Sequence, residues 1–271
     1  IQSVSEKVRL GKMPSLFPEL SEVGYKMFDL ESRRYIGNKA KLTRWIMNII
    51  NEHTGGFSSF FDVFAGTASV SKAAIPYADK IIMNDFLSSN NIIYQAFFAE
   101  GIYDVGKLYS IIEYYNSINP DSVKDNYFSD NFGDKFFDYR NSKLIGYIRE
   151  DIERKRYELT PKEYAILLAS LIYSIDKIAN TVGHFDAYIK KEIVYHPLSL
   201  QLIKPLEPKV VEIHKEDSNM LARRITADVA YIDPPYNSRQ YSRFYHIYEN
   251  LVEWKKPELF GVAMKPKAQN M

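Results

Sequence analysis

Apolar residues between Lys39 and Asn51 recur at spacings of three and four, so Leu42, Trp45, Ile46, Ile49 and Ile50 share one face of a predicted amphipathic helix. Gly55-Gly56 ends it. The next apolar run, Phe60-Phe61-Asp62-Val63-Phe64, is short and bounded by turn residues, the pattern of a strand buried in a parallel sheet. Ala65-Gly66-Thr67 then turns the chain into a helical stretch from Ser69 to about Ile75. Lys80-Ile81-Ile82-Met83 is a second strand, ending at Asn84-Asp85. Strand, glycine turn, helix, strand and acid make one βαβ unit.

From 91 to 208 the periodicity is helical instead. Ile92–Glu100, Val105–Ile118 and Lys143–Arg156 read as helices, interrupted by Asn119–Asp138, a polar stretch dense in Asn, Asp and Ser. A long apolar helix starts at Pro161, whose fixed φ suits the first helical position, with Thr160 as its N-cap. Strand character returns at Val210–His214 and Val229–Ile232. The expected fold class is α/β, with a Rossmann-like sheet built from 34–90 and 209–271 and a mostly helical insertion over 91–208. An irregular extension precedes them over 1–33, broken by Gly11, Pro14, Pro18 and Gly24.

At 271 residues and 46% apolar content, the chain can bury a full core. No apolar run approaches the roughly 18 residues of a membrane span. Ile1–Lys7 lacks the basic-then-apolar layout of a secretory signal. With no cysteine, disulfides, thiolate metal sites and cysteine nucleophiles are excluded, and a cytoplasmic protein is the simplest expectation. The five histidines show no metal-ligand spacing. A net charge of +1 leaves nucleic-acid binding open, because such binding needs a basic face and not a basic average. The 21 tyrosines point mildly toward it, since tyrosine rings stack on bases.

The sharpest chemical signal is Asp233-Pro234-Pro235-Tyr236, directly after the apolar strand that ends at Ile232. Ligands of open α/β sheets sit at the carboxyl ends of strands, so these residues stand where chemistry is done. The four types suit a poor nucleophile, an exocyclic amino group whose lone pair is delocalised into an aromatic ring. The Asp233 carboxylate and the Pro234 carbonyl are acceptors for its two N–H hydrogens, which favours a more tetrahedral nitrogen aimed at an electrophile. Consecutive prolines hold that carbonyl in place. Tyr236 offers a π-face to a base flipped out of a duplex. Alone, Asp-Pro-Pro reads equally well as a plain loop after a strand. Upstream residues change the balance. Gly66 permits close approach of a cofactor at a helix N-terminus, and Asp85 follows at about the spacing of an acid that binds ribose hydroxyls. Arg34-Tyr35-Ile36-Gly37-Asn38-Lys39 adds a tight turn and a cation, Lys39, suited to a carboxylate.

Tyr-x-Gly-x-Lys at Tyr35–Lys39, Asp-x-Phe-x-Gly-Thr at Asp62–Thr67, Asn84-Asp85 and Asp233-Pro234-Pro235-Tyr236, in this order, resemble the Dam-type family of adenine-N6 DNA methyltransferases. Asn180-Thr181-Val182-Gly183-His184-Phe185 is similar to that family's Asn-x-x-Gly-x-Phe segment, and His214–Ser218 to the loop before its catalytic strand. The resemblance spans roughly 34–254. It implies transfer of a methyl group from S-adenosylmethionine (SAM) to N6 of adenine in double-stranded DNA, with no metal. It implies SAM contacts at Tyr35, Lys39, Asp85, Asp217 and Asp233, and a pocket lined by Asp62, Phe64, Gly66 and Thr67. Catalysis falls to Asp233, Pro234 and Tyr236, and target recognition to 91–208. Whether a cognate restriction endonuclease accompanies the chain is left open. Two departures stand out. Ala68 occupies a position where the family usually has a second glycine, and Met271 comes before the strands that normally complete the sheet and pocket. The expectation is that those strands lie outside this chain or come from another polypeptide.

For DNA, Arg239 and Arg243 suit phosphates beside the catalytic loop, as do Lys177 and Lys190 around the Asn-x-x-Gly-x-Phe segment. Asn180 and His184 are candidate contacts within that segment, although an ordinary surface histidine is the stronger reading of His184. Arg154-Lys155-Arg156 lies among Glu150, Asp151 and Glu153, and helical ion pairing explains it. Three rivals remain. Methylation of cytosine N4 or of RNA uses the same fold, and Asp233 in place of Ser leans away from cytosine only by resemblance. A DNA-specificity fragment that depends on a partner is the second. A nicotinamide enzyme is the third, and Gly66-Thr67-Ala68 lacks its Gly-x-Gly-x-x-Gly.

Overall fold

The computed structural model describes residues 26–207, 209–235 and 241–267. A short 3-10 turn, Leu30–Ser32, precedes α1 (Thr43–Thr54), β1 (Ser59–Asp62), α2 (Ser69–Ala74) and β2 (Lys80–Asn84). Five helices follow: α3 (Ser88–Phe97), α4 (Val105–Ser117), α5 (Tyr127–Phe132), α6 (Tyr139–Arg154) and α7 (Pro161–Ile178). The chain then returns to the sheet with β3 (Val210–His214), α8 (Ser218–Ala222) and β4 (Val229–Tyr231). Helices α9 (Tyr241–Phe244) and α10 (His246–Glu253) lead to a small antiparallel pair, β5 (Leu259–Phe260) and β6 (Lys265–Pro266).

The main sheet has the order β3-β2-β1-β4, with every pair parallel. Parallel neighbours need crossovers, and helices supply them. Because side chains alternate along a strand, Phe60, Ile81 and Met83 join one apolar cluster, whereas Phe61, Val63 and Ile82 join another. The second cluster is small and capped by Leu221 of α8. The first runs on through α3, α7 and α10 as far as Phe128 and Ile145. The helices of 91–208 therefore share one core with the sheet. The α/β sheet and the βαβ unit are as the apolar pattern predicts.

Helix α7 forms where expected. Glu163 N donates to Thr160 Oγ1 at 3.1 Å, Thr160 N donates to the Glu163 carboxylate at 2.9 Å, and Pro161 opens the first turn. Two expectations need correction. Helix α1 begins at Thr43 and buries Ile46 and Met47, while Leu42 and Trp45 stay 47% and 63% exposed. It packs against α2, which covers the side that carries Ile46 and Met47. The segment Asn119–Asp138, read as a polar stretch between helices, also forms a helix of its own and contributes to the core. Asn126 caps α5 through a capping box with Ser129, Asp138 caps α6, and Phe128, Phe132, Phe136 and Phe137 are fully buried. Among the described residues no helix is long and apolar enough to cross a membrane.

Candidate active site

The carboxyl ends of β1, β2 and β4 open into one cavity of about 390 Å³, a size fit for a small organic ligand. Strand β1 delivers Asp62 and the turn Phe64–Thr67, β2 delivers Asn84 and Asp85, and β4 delivers Tyr231, Asp233, Pro234 and Pro235. The segment before α1 closes one wall with Tyr35 and Lys39, and Tyr241 of α9 adds another ring. Of the proposed cofactor residues, Tyr35, Lys39, Asp62, Phe64, Gly66, Thr67, Asp85 and Asp233 all line this cavity. Asp217 does not. Its carboxylate accepts from Met220 N at 3.0 Å as the N-cap of α8, and the neighbouring Ser218 lines the wall. Tyr236 and Arg239 lie outside the described residues.

Gly66 has φ of +53°, a conformation glycine adopts freely, and a Cβ there would stand 3.7 Å from the Tyr35 ring. The turn is fastened at both ends. Gly66 N donates to Asp85 Oδ2 at 3.0 Å, and Tyr94 Oη donates to Gly66 O at 2.7 Å. The other Asp85 oxygen accepts from Leu87 N at 2.8 Å. Burial nevertheless raises the Asp85 carboxyl to about 6. Asp62, deeper still, accepts from the Ser71 hydroxyl at 2.6 Å and is pushed by burial to about 7, with Asp85 and Asp233 adding repulsion. Asn84 clamps the floor by donating to Glu216 O at 3.1 Å and accepting from Glu216 N at 3.0 Å. The donor set, a glycine cradle with acids at two depths and Tyr35 as a flat wall, fits a ligand with a ribose, a base and a charged tail.

Opposite these acids, Lys39 Nζ stands 2.7 Å from Asp233 Oδ2. The only cation that sequence reasoning placed in the pocket therefore meets the carboxylate it placed at the centre of the chemistry. Sequence reasoning missed what holds Tyr35. Its ring stacks on Tyr245 at 4.5 Å with planes 6° apart, and Ile36 N donates to Tyr245 Oη at 2.8 Å. Tyr241, Tyr245 and Tyr248 recur at helical spacing, a signal that was open to reading.

A family model for the D12 class N6 adenine-specific DNA methyltransferases matches residues 35–270. The chain belongs to that family. Curated relatives agree. It is 31% identical to the modification methylase LlaI of Lactococcus lactis subsp. lactis over 84% of this chain and 39% of that one. It is 31% identical to the type II methyltransferase M.CviAII of Paramecium bursaria Chlorella virus 1, covering 82% of this chain and 69% of the relative. For M.NlaIII of Neisseria lactamica the identity is 30% over 80% and 68%. The chain thus spans about two fifths of LlaI and about two thirds of the two type II methyltransferases. Within this methyltransferase family, the Asp233 cavity is the candidate active site.

The residues named for DNA scatter more. Lys177 Nζ donates to Ser32 O and lies over the Phe28 ring at 5.5 Å. Asn180 braces its loop by donating to Lys135 O at 2.8 Å and Ile189 O at 2.9 Å. His184 packs on Phe244 at 5.1 Å, and Phe185 is buried behind it. Lys190 and Arg243 are exposed. Arg154, Lys155 and Arg156 pair with Asp151 and Glu153, as expected. Among the described residues no cluster of His, Asp and Glu could hold a metal.

Proposed function

We propose that this chain transfers the methyl group of SAM to N6 of adenine in double-stranded DNA, acting on a base turned out of the duplex. The observation that carries the reading is the convergence of eight motif residues from four chain segments, Asp233 among them, on one cavity. SAM, when bound, supplies an electrophilic methyl group. Lys39 suits the carboxylate of its methionine tail, Asp85 its ribose hydroxyls, and Tyr35 an aromatic face. Asp233 and Pro234 accept the two amino hydrogens, and Tyr236 stacks on the base. The helical region 91–208, with Lys177, Asn180, His184 and Lys190, serves target recognition, and Arg239 and Arg243 hold phosphates near the site. Asp217 contributes only indirectly, as the N-cap of α8 that holds the loop presenting Ser218 to the cavity.

The Lys39 ammonium lies 2.7 Å from one of the two oxygens of the Asp233 carboxylate. An ionised carboxylate has further acceptor sites, so a base amino group can use the other Asp233 oxygen while Lys39 faces Oδ2 and a cofactor carboxylate. The family's name supports adenine over cytosine. A second form of the reading, with the sheet completed by a further polypeptide, draws support from β4. It is an edge strand among the described residues, and Ile232 beside it is 66% exposed.

The test is incubation with SAM and adenine-unmethylated duplex DNA, followed by digestion to nucleosides and mass spectrometry. N6-methyladenine is the expected product. N4-methylcytosine, or methylation of RNA alone, would replace this reading with a sister activity, and no product would point to a required partner chain.

A further inference from the structure

Arg33 lies outside the cavity and outside every role assigned above, yet it is only 4% exposed. Its guanidinium sits 4.9 Å from the centroid of Tyr35 and 5.9 Å from that of Tyr248. Nη2 donates to Asn90 Oδ1 at 2.8 Å. Nε and Nη1 have no hydrogen-bond partner among the described residues. A buried, under-partnered cation is costly, and an apolar side chain of similar volume in its place is commonly neutral or better for stability. Stability of the fold is thus a poor account of why Arg33 is there.

Its contacts offer another account. Arginine has donors and no acceptor, so it obliges Asn90 to present its amide oxygen on that side. The amide nitrogen then points the other way, donating to Tyr35 Oη at 3.2 Å. The same Asn90 amide helps hold the Asp85 carboxyl down against its burial. Tyr35 and Asp85 both line the cavity. One buried guanidinium therefore fixes the orientation of a donor that serves two walls of the pocket, and lies over the ring of one of them.

We propose that Arg33 is a positioning residue of the cofactor site, setting SAM affinity by orienting Asn90 and holding the Tyr35 ring. The proposal rests on the reading of the cavity as a SAM site. Calorimetric SAM binding and thermal unfolding of the full chain test it in the native, Arg33→Met and Arg33→Lys forms. The native chain is expected to bind SAM. Arg33→Met should keep the native melting temperature or exceed it while binding SAM about tenfold more weakly, the effect of one lost charge-assisted hydrogen bond. Arg33→Lys keeps a donor-only cation and should recover part of the affinity. If Arg33→Met does not fold, Asn90→Leu takes its place with the same expected loss. SAM affinity unchanged in Arg33→Met, or in that substitute, overturns the proposal. So does an equal loss in the Met and Lys forms that tracks a falling melting temperature, the mark of a merely structural role. A native chain that binds no SAM overturns the reading of the cavity itself, and is recognised before any variant is made.

Discussion

Asp62 ends β1 with its carboxyl buried against Ser71, and burial raises it from near 3.8 in the unfolded chain to about 7. The folded state thus holds this proton more tightly than the unfolded state. The sign follows by linkage: Asp62 costs nothing below about pH 4, and its cost grows as pH rises to 7 and is complete above it. Asp62→Asn keeps an acceptor for Ser71 and removes the charge. It should leave the melting temperature unchanged at pH 4 and raise stability at pH 8 by on the order of 3 kcal/mol. Denaturation curves at both pH values check this, and equal effects at both would contradict it. Ala68 makes a second case. It has φ of +58° and is fully buried. Relief of left-handed strain by Ala68→Gly, about 1 kcal/mol, is opposed by loss of a buried methyl worth about 0.8 kcal/mol. Near-neutral stability is expected, which explains how alanine stands where the family usually has glycine. A melting temperature within about 3 °C of native is the check. Asp233, Gly66, Lys39 and Asp85 stood out by type and spacing, Asp85 by its distance from Gly66, whereas Tyr35, Asp62, Phe64, Thr67 and Asp217 were named only through the family resemblance. What spacing did not reveal is that Asp85 already holds Gly66 N and Leu87 N, or that Asp217 is spent as a helix cap.

Among the elements, those with a single strong signal formed where the pattern places them. Thr160, Pro161 and Glu163 start α7, and the apolar runs make β1, β2 and β3. The segment Asn119–Asp138 was illegible because Asn, Asp and Ser are both loop formers and helix caps. Only tertiary contact decides between these uses, here by burying Phe128 and Phe132. Asn126 does more than cap α5. Its amide donates to Lys143 O at 2.9 Å, and a Cβ on Gly146 of α6 would lie 1.9 Å from its Oδ1. Gly146→Ala should therefore break the capping box and the α5–α6 contact together, costing about 1–3 kcal/mol by overpacking. A change smaller than about 0.5 kcal/mol in urea unfolding would show that the two helices separate easily.

For the whole molecule, the sheet order and the helical core bring Tyr35, Asp85, Asp233 and Tyr241 to one end of the strands. The motifs announced that meeting for Tyr35, Asp85 and Asp233, since each is tied to a strand end or a turn, but not for Tyr241. The helical recurrence of Tyr241, Tyr245 and Tyr248 marks an aromatic face, but it does not name Tyr35 as the partner of Tyr245, because about two hundred positions separate the two. The central claim is that the cavity places Asp233 to receive an adenine amino group. Single-turnover transfer of labelled methyl from SAM to adenine-unmethylated DNA tests it most directly, with native chain and Asp233→Ala compared at saturating cofactor. Label should appear as N6-methyladenine with the native chain and fall by about a hundredfold to a thousandfold with the variant, the scale of removing one well-placed polar group from a transition state. Transfer by Asp233→Ala at the native rate would contradict the account.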